Sequence, residues 1–442
     1  MSEIGFLEAF YNALTDEPLE AGDPKYVHLY EGATALGDDP VKLLAFPMRK
    51  KGQSVQLLSG YRGTGKSTEL RRLEALLVQE GHQVVLLNMD QHLNMTTPVD
   101  VSDFLMTLAG AFGEALDKPE HLGRDPRREG YWERFVAFLT RTKISLPEAS
   151  ATGIKANLKS DPTFRETLQN LMKGHLGALV ADVHEFFEDC VKALKQRHPH
   201  DPRIVLLVDS VEHIRGTFLN AREVQASVET LFMSHAEKLR LPYMHVVYTV
   251  PPYLKARAMN IGSNYGEGAV QVFPAIKIRH YEGDGHEGEV HAKGVDSIRT
   301  VVERRCPDWK RLLGDETALN RVILMSGGNL RDLFRLLSEI IRRADALPVP
   351  PEVVEKAINQ MRTEFLPIAD ADAAWLAQIA GTHQAALPSV DRLPDLTRFL
   401  DTHVVLTYRN GPEWYDVHPL IRDLVMAQAR RLEQTKASAG GR

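Results

Sequence analysis

Apolar positions recur along this chain in two rhythms, and the alternation between them divides it. Residues 1–50 begin with helical spacing and then loosen into a loop rich in Gly, Asp and Pro at Glu31–Pro40. The first clear strand is Ser54–Leu58. A glycine loop follows, then an amphipathic helix from about Ser67 to Glu80 with Leu70, Leu73, Leu76 and Leu77 on one face. Gln83–Met89 is a second strand, and in a strand–loop–helix–strand unit of this length the two strands are expected to run parallel.

From Val99 to His200 the period is almost wholly helical. Phe104–Leu116, Tyr131–Thr140 and Phe164–Gln196 are the expected helices, the last broken near Gly174–Gly177, and Ile144–Pro162 is loop-like. The stretch reads as a helical insertion. Arg203–Val208 is a near-continuous apolar run ending in Asp209, as in a strand buried on both faces. Tyr243–Val250 and Ala269–Ile278 bring the sheet to at least five strands, and residues 280–294 read as a surface loop. Helices resume over Val295–Arg343, and the proline-rich Leu347–Pro351 reads as a linker. Three helices (Pro351–Thr363, Ala371–Gly381, Leu393–Thr402) then precede a strand Val404–Tyr408, a turn Asn410–Pro412, a strand Glu413–Val417 and a last helix after His418. The small, polar tail from residue 435 is expected to be disordered.

Composition narrows the setting. The chain has 442 residues, 43% hydrophobic and 25% charged, which suits a globular protein of two to four domains. A formal charge of −6 supplies no general attraction to nucleic acid or anionic membrane. The two cysteines, Cys190 and Cys306, lack metal-type spacing and point to a reducing compartment. With no leader pattern at the start and no long apolar run, a cytoplasmic protein without a membrane span is expected.

The strongest chemical signal is Gly60-Tyr61-Arg62-Gly63-Thr64-Gly65-Lys66-Ser67-Thr68, a full match to the phosphate-binding loop G-x-x-x-x-G-K-[ST]. Its glycines let backbone N–H groups converge on a phosphate, and the following helix presents the positive end of its dipole. Lys66 is placed to reach the β- and γ-phosphates of ATP, and the Ser67 hydroxyl to complete the shell of Mg²⁺. Such a site also needs an acid at the end of a neighbouring strand. Asp209 meets that need as a holder of Mg²⁺, its alternative being a helix cap after a core strand. Glu212 is the candidate to orient or deprotonate the attacking water, its alternative being a solvated turn carboxylate.

With these residues the chain resembles the additional-strand P-loop ATPases, namely the AAA+ proteins and the related STAND signalling ATPases. Ser210 stands where most AAA+ proteins carry Glu, and Asp209-Ser-Val-Glu212 is closer to the NACHT-type spacing. By the same resemblance Thr249 occupies the sensor-1 position. Ser326-Gly-Gly-Asn-Leu-Arg331 is similar to the sensor-2 region of origin-recognition and STAND-like branches, in which Arg331 would face the nucleotide from a helical lid. Val417-His418-Pro419 resembles the Met-His-Asp motif, which would place His418 on the β-phosphate of ADP, though Pro419 replaces the Asp. The structural alternatives are a strand-end Thr, a Gly-Gly turn with a solvated Arg331, and a turn with Pro at the first helical position.

The expected organisation is therefore an α/β, parallel-sheet P-loop NTPase of the additional-strand type. Residues 1–50 form a lead-in, 51–280 the ATPase core with its helical insertion at 99–200, 295–346 a helical lid, and 351–434 a winged-helix domain before the tail 435–442. The resemblance implies a slow Mg²⁺-dependent ATPase switch, alternating between ATP and ADP, in a bacterial regulatory or defence system. Typical STAND receptors carry sensor and effector domains that are missing here, so a protein partner or effector acting in trans is expected, with a homo-oligomer left open. A DNA-linked AAA+ ATPase and a scaffold without turnover are the competing readings. In the expected recognition helix, Asp395 and Asp401 outnumber Arg398, a poor face for DNA phosphates. His286-Glu-Gly-Glu-Val-His291 has i, i+5 rather than zinc-helix spacing, and with Arg197-His198-Pro-His200 is read as loop or turn.

Overall fold

A computed structural model describes the chain except residues 1, 31–36, 124–158, 162, 164–165, 167–168, 171–173, 199, 218, 259, 267–269, 282–287, 410–412 and 441–442. Its elements run α1 (Glu3–Ala13), α2 (Pro40–Lys50), β1 (Ser54–Gly60), α3 (Lys66–Gln79), β2 (Gln83–Asn88), α4 (Val101–Leu116), α5 (Leu176–Arg197), β3 (Ile204–Asp209), α6 (Ala221–Ser234), β4 (Met244–Val250) and β5 (Val270–Phe273). There follow α7 (Ala292–Arg305), α8 (Glu316–Met325), α9 (Leu330–Arg342), α10 (Pro351–Arg362), α11 (Asp370–Thr382), α12 (Leu393–Asp401), β6 (Val405–Arg409), β7 (Glu413–Val417) and α13 (Pro419–Gly440), with shorter helical turns between. Two compact units result. One holds Pro40–Gly60 and Glu69–Val272; the other joins Met1–Asp39, Tyr61–Thr68 and Phe273–Arg442.

In the first unit the sheet order is β2-β3-β4-β1-β5, and β2–β3, β3–β4 and β1–β4 are parallel pairs. Every residue of β3 and β4 is buried, which accounts for their unbroken apolar runs. Helix α4 starts where the Asp100 carboxylate accepts the Ser102 N–H at 2.8 Å, and it buries Phe104 against Phe232 and Tyr248. Phe112 of α4 meets Phe187 of α5 at 5.1 Å, so the described part of the insertion shares the sheet's core. The register pairs Asn88 with Asp209, Val208 with Tyr248 and Leu58 with Thr249. The strands therefore end along one edge, the side where parallel sheets bind ligands.

In the second unit α1 buries Phe6 and Phe10, and the Arg311 guanidinium lies 4.3 Å over the Phe6 ring. β6 and β7 form an antiparallel hairpin, with Trp414 stacked between Tyr408 and Tyr281. The main chain after β5 docks on this hairpin, Ala275 N–H donating to Thr407 O at 3.0 Å.

Several expectations change. Leu347–Pro351 is no loose linker, because Val349 is buried and its N–H donates to Leu312 O at 2.8 Å. His291 is not a solvated loop residue: its ring accepts the Gly294 N–H and caps α7, and Arg279 and Val290 form an antiparallel bridge. Helix α13 continues to Gly440, its Gln, Lys and Ala residues favouring helix where a disordered tail was expected. The expected helix Tyr131–Thr140, most of the loop Ile144–Pro162, His286 and the turn Asn410–Pro412 lie outside the described residues. A parallel sheet whose strand β1 leads through a glycine loop into α3 is the α/β fold of a P-loop NTPase.

Candidate functional site

The loop Tyr61–Thr68 curls because Gly63 and Gly65 adopt φ of 79° and 95°, a region that L side chains rarely visit. Such turns direct successive N–H groups inward and make an anion-binding concavity. Thr64 Oγ1 donates to Tyr61 O at 2.9 Å, and the buried Lys66 ammonium donates to the same carbonyl at 2.6 Å. A buried cation beside a backbone nest, followed by the start of an α-helix, is a donor set that fits phosphate. Arg62, Gly63, Gly65, Ser67 and Thr68 are half-buried, and Thr68 Oγ1 accepts the Leu19 N–H at 3.1 Å.

Helix α9 begins directly on this loop. Its cap, the fully buried Asn329, accepts the N–H groups of Arg331 and Asp332 and donates its amide to Arg62 O at 3.2 Å. Arg331 N–H also donates to Gly63 O at 3.3 Å. Asn329 was not singled out in the sequence, although an Asn opening a helix after two glycines is a capping signal. The two glycines before the cap are required by packing. A Cβ on Gly327 would lie 2.4 Å from Leu406, and one on Gly328 would lie 1.8 Å from Ile276 O. At Gly63 a Cβ would fall 2.2 Å from that of Arg331, whereas at Gly65 it would meet nothing within 4 Å. Gly63→Ala should therefore cost more than about 1 kcal/mol of stability. Denaturant titration should show a larger loss than for Gly65→Ala, which shares the backbone strain without the clash; equal losses would refute the close approach.

The hairpin holds the loop from another side. The Tyr61 and Thr407 hydroxyls are 2.6 Å apart, and the His403 ring meets Tyr61 edge-on. Burial pushes the Tyr61 phenol far above its ordinary range. His418, assigned by resemblance to a β-phosphate, is fully buried and stacks on Phe365. Leu420 N–H donates to its Nδ1 at 3.2 Å, so the ring proton sits on Nε2, 3.4 Å from Asp332 Oδ2. Pro419 opens α13, and the imidazole faces a carboxylate of its own chain. His403 approaches the same carboxylate at 3.6 Å. Burial works against the charge on Asp332, but the two imidazoles outweigh it and hold the carboxyl well below its usual range.

In the sheet unit, Asp209 ends β3 and is largely buried, with Oδ1 accepting the Ser210 N–H at 2.8 Å. Ser210 lies at φ 70°, and the turn Val211–His213 buries Glu212. Thr249 Oγ1 accepts the Val211 N–H at 3.1 Å and is wholly buried, so the residue at the sensor-1 position braces the acidic turn. A third group joins them. His213 Nδ1 lies 2.6 Å from Asp90 Oδ2, and its Nε2 lies 3.8 Å from Glu212 Oε1. Asp90 went unremarked in the sequence, although it follows β2 much as Asp209 ends the adjacent β3.

No protein-family model matches the chain, and no curated protein matches it. Solved structures do. Cdc6p of Pyrobaculum aerophilum is 15% identical, with 90% of this chain and 93% of that chain covered and a TM-score of 0.38. The ORC1 protein of Aeropyrum pernix, solved in complex with DNA, is 15% identical over 90% and 92%, with a TM-score of 0.35. A Walker-type ATPase of Pyrococcus abyssi is 13% identical over 87% and 94%, with a TM-score of 0.40.

Proposed function

We propose that the chain is a slow ATPase switch whose loop Gly60–Thr68 binds ATP and whose nucleotide state is passed to a protein partner. The observation that carries this is the buried Lys66 inside a nest-forming loop that α9 and the β6–β7 hairpin both grip. A loop clasped in this way transmits what it binds, because a phosphate that draws on Lys66 must compete with the Tyr61 carbonyl, and Tyr61 is bonded to the hairpin. Ser67 and Asp209 are the hard oxygen donors that would hold Mg²⁺, whose chemistry is to neutralise the phosphate charge. The lid (295–346) and winged-helix domain (351–434) would be the moving parts, and Arg331 would sense the terminal phosphate. Motif resemblance supports a cytoplasmic protein in a bacterial regulatory or defence system.

DNA remains the less favoured partner. On α12, Arg398 pairs with Asp372 at 2.7 Å, and Arg392 pairs with Asp372 and Asp395 at 2.8 and 2.9 Å. These guanidinium groups are committed to carboxylates rather than offered to phosphates.

The test is Mg²⁺-dependent turnover of purified protein. Asp209→Asn should raise the Mg²⁺ concentration needed without lowering the melting temperature. Glu212→Gln should keep ATP binding while slowing hydrolysis at least about tenfold, as for loss of a general base. Unchanged hydrolysis in both variants would overturn the assignment.

A further inference from the structure

The main chain of Arg331 is fixed on the phosphate loop, but its side chain is engaged elsewhere. Its Nη2 lies 2.9 Å from Asp16 Oδ2, in the segment that follows α1. The pair sits in the wall of a cavity of about 800 Å³ that Arg62 of the loop also lines, with Tyr11, Phe334 and Arg335. Of two further ion pairs of the wall, Arg335–Glu364 joins α9 to the turn that follows α10, and Arg342–Glu339 lies within α9. Asp16 is different, because its segment is tied to the loop itself through Leu19 N–H and Thr68 Oγ1. The chain thus holds a carboxylate of its own on the guanidinium of a residue whose backbone and Cβ stand against Gly63.

We propose that Asp16 is a positioning and specificity-determining residue, an internal anion that the terminal phosphate of ATP must displace from Arg331. The proposal rests on the nucleotide reading of the loop. ADP, lacking that phosphate, leaves the Asp16–Arg331 pair in place, so the pair opposes triphosphate binding selectively. A ligand shifts a two-state element only by its differential affinity for the states. The pair is partly exposed, so its strength is that of a surface ion pair, worth roughly two- to fivefold in affinity.

Calorimetric titration with ADP and a non-hydrolysable ATP analogue tests this. Asp16→Asn should bind the ATP analogue about two- to fivefold more tightly and ADP as wild type does. Asp16→Glu should restore the wild-type ratio, and the gain should shrink as salt screens the pair. In an Arg331→Ala background, Asp16→Asn should change neither affinity. An equal gain for both nucleotides, or a gain that survives without Arg331, would overturn the proposal. If wild type and Lys66→Ala bind both nucleotides equally poorly, the nucleotide reading fails and this proposal with it. If wild type binds and Asp16→Asn matches it, the nucleotide reading stands and this proposal alone falls.

Discussion

Replacing Lys66 with alanine is expected to weaken binding of both ATP and ADP by about 100-fold or more, some 3 kcal/mol. The size follows from burial: the ammonium is 4% exposed, so a phosphate beside it faces a charge that water screens little. In wild type the same ammonium donates to Tyr61 O at 2.6 Å, the bond with which a phosphate competes. Without nucleotide, Lys66→Ala should melt close to wild type, since the Thr64 hydroxyl also satisfies the Tyr61 carbonyl. Titration with each nucleotide and a melt of the free protein check the two halves. Retained affinity would remove the loop from the binding site, whatever its pattern.

The second large effect is expected at Asp332, where no ligand is involved. Its carboxylate is 4% exposed and is approached by His403, His418 and the Arg335 guanidinium, the last at 3.6 Å. Asp332→Ala takes the carboxylate away from the half-buried His403 and buried His418 rings and should cost about 3 kcal/mol. The pH dependence has a definite sign. Because the folded carboxyl titrates below its unfolded value of about 3.9, the stability it contributes is complete above that pH and drains away as pH falls. Asp332→Asn, which cannot titrate, should lose that acid-sensitive component. Denaturant titrations from pH 7 to pH 3 should show the difference between wild type and variant constant down to about pH 4 and narrowing below it. Parallel curves would mean that the carboxylate is not held ionised by its neighbours.

The contrast between Lys66 and Asp332 shows what the sequence could display. The glycine loop, the strands and the placing of Asp209 at the end of β3 were legible because each follows from local rules: a glycine pattern, an apolar run, a strand end. Fold class was legible for the same reason. Asp332 looks like an ordinary first-turn carboxylate of a helix, and its role depends on His403 and His418, which arrive from a hairpin dozens of positions later. His418 was singled out, but motif analogy pointed its ring at a nucleotide. The hydrogen bond from Leu420 instead turns it towards Asp332. Gly327 and Gly328 lay within a motif read for Arg331 alone, and only three-dimensional packing reveals Leu406 and Ile276 against them. The Asp90–His213 contact was hidden because it joins the ends of two strands that are adjacent in space alone.

The make-up of the unit that grips the loop also bears on how the polypeptide comes to be assembled. Every segment of the sheet unit has been synthesised once Val272 is made, so that unit can fold early. The hydroxyl pair Tyr61–Thr407, by contrast, joins residues 346 positions apart. Until Thr407 emerges, the phosphate loop hangs from β1 with neither the hairpin nor, before Asn329, the helix cap to hold it. Loop-closure entropy makes so distant a contact slow to form. The grip on the loop is accordingly completed late, and a nascent chain carries the segment Tyr61–Thr68 without its hairpin clasp for most of its synthesis.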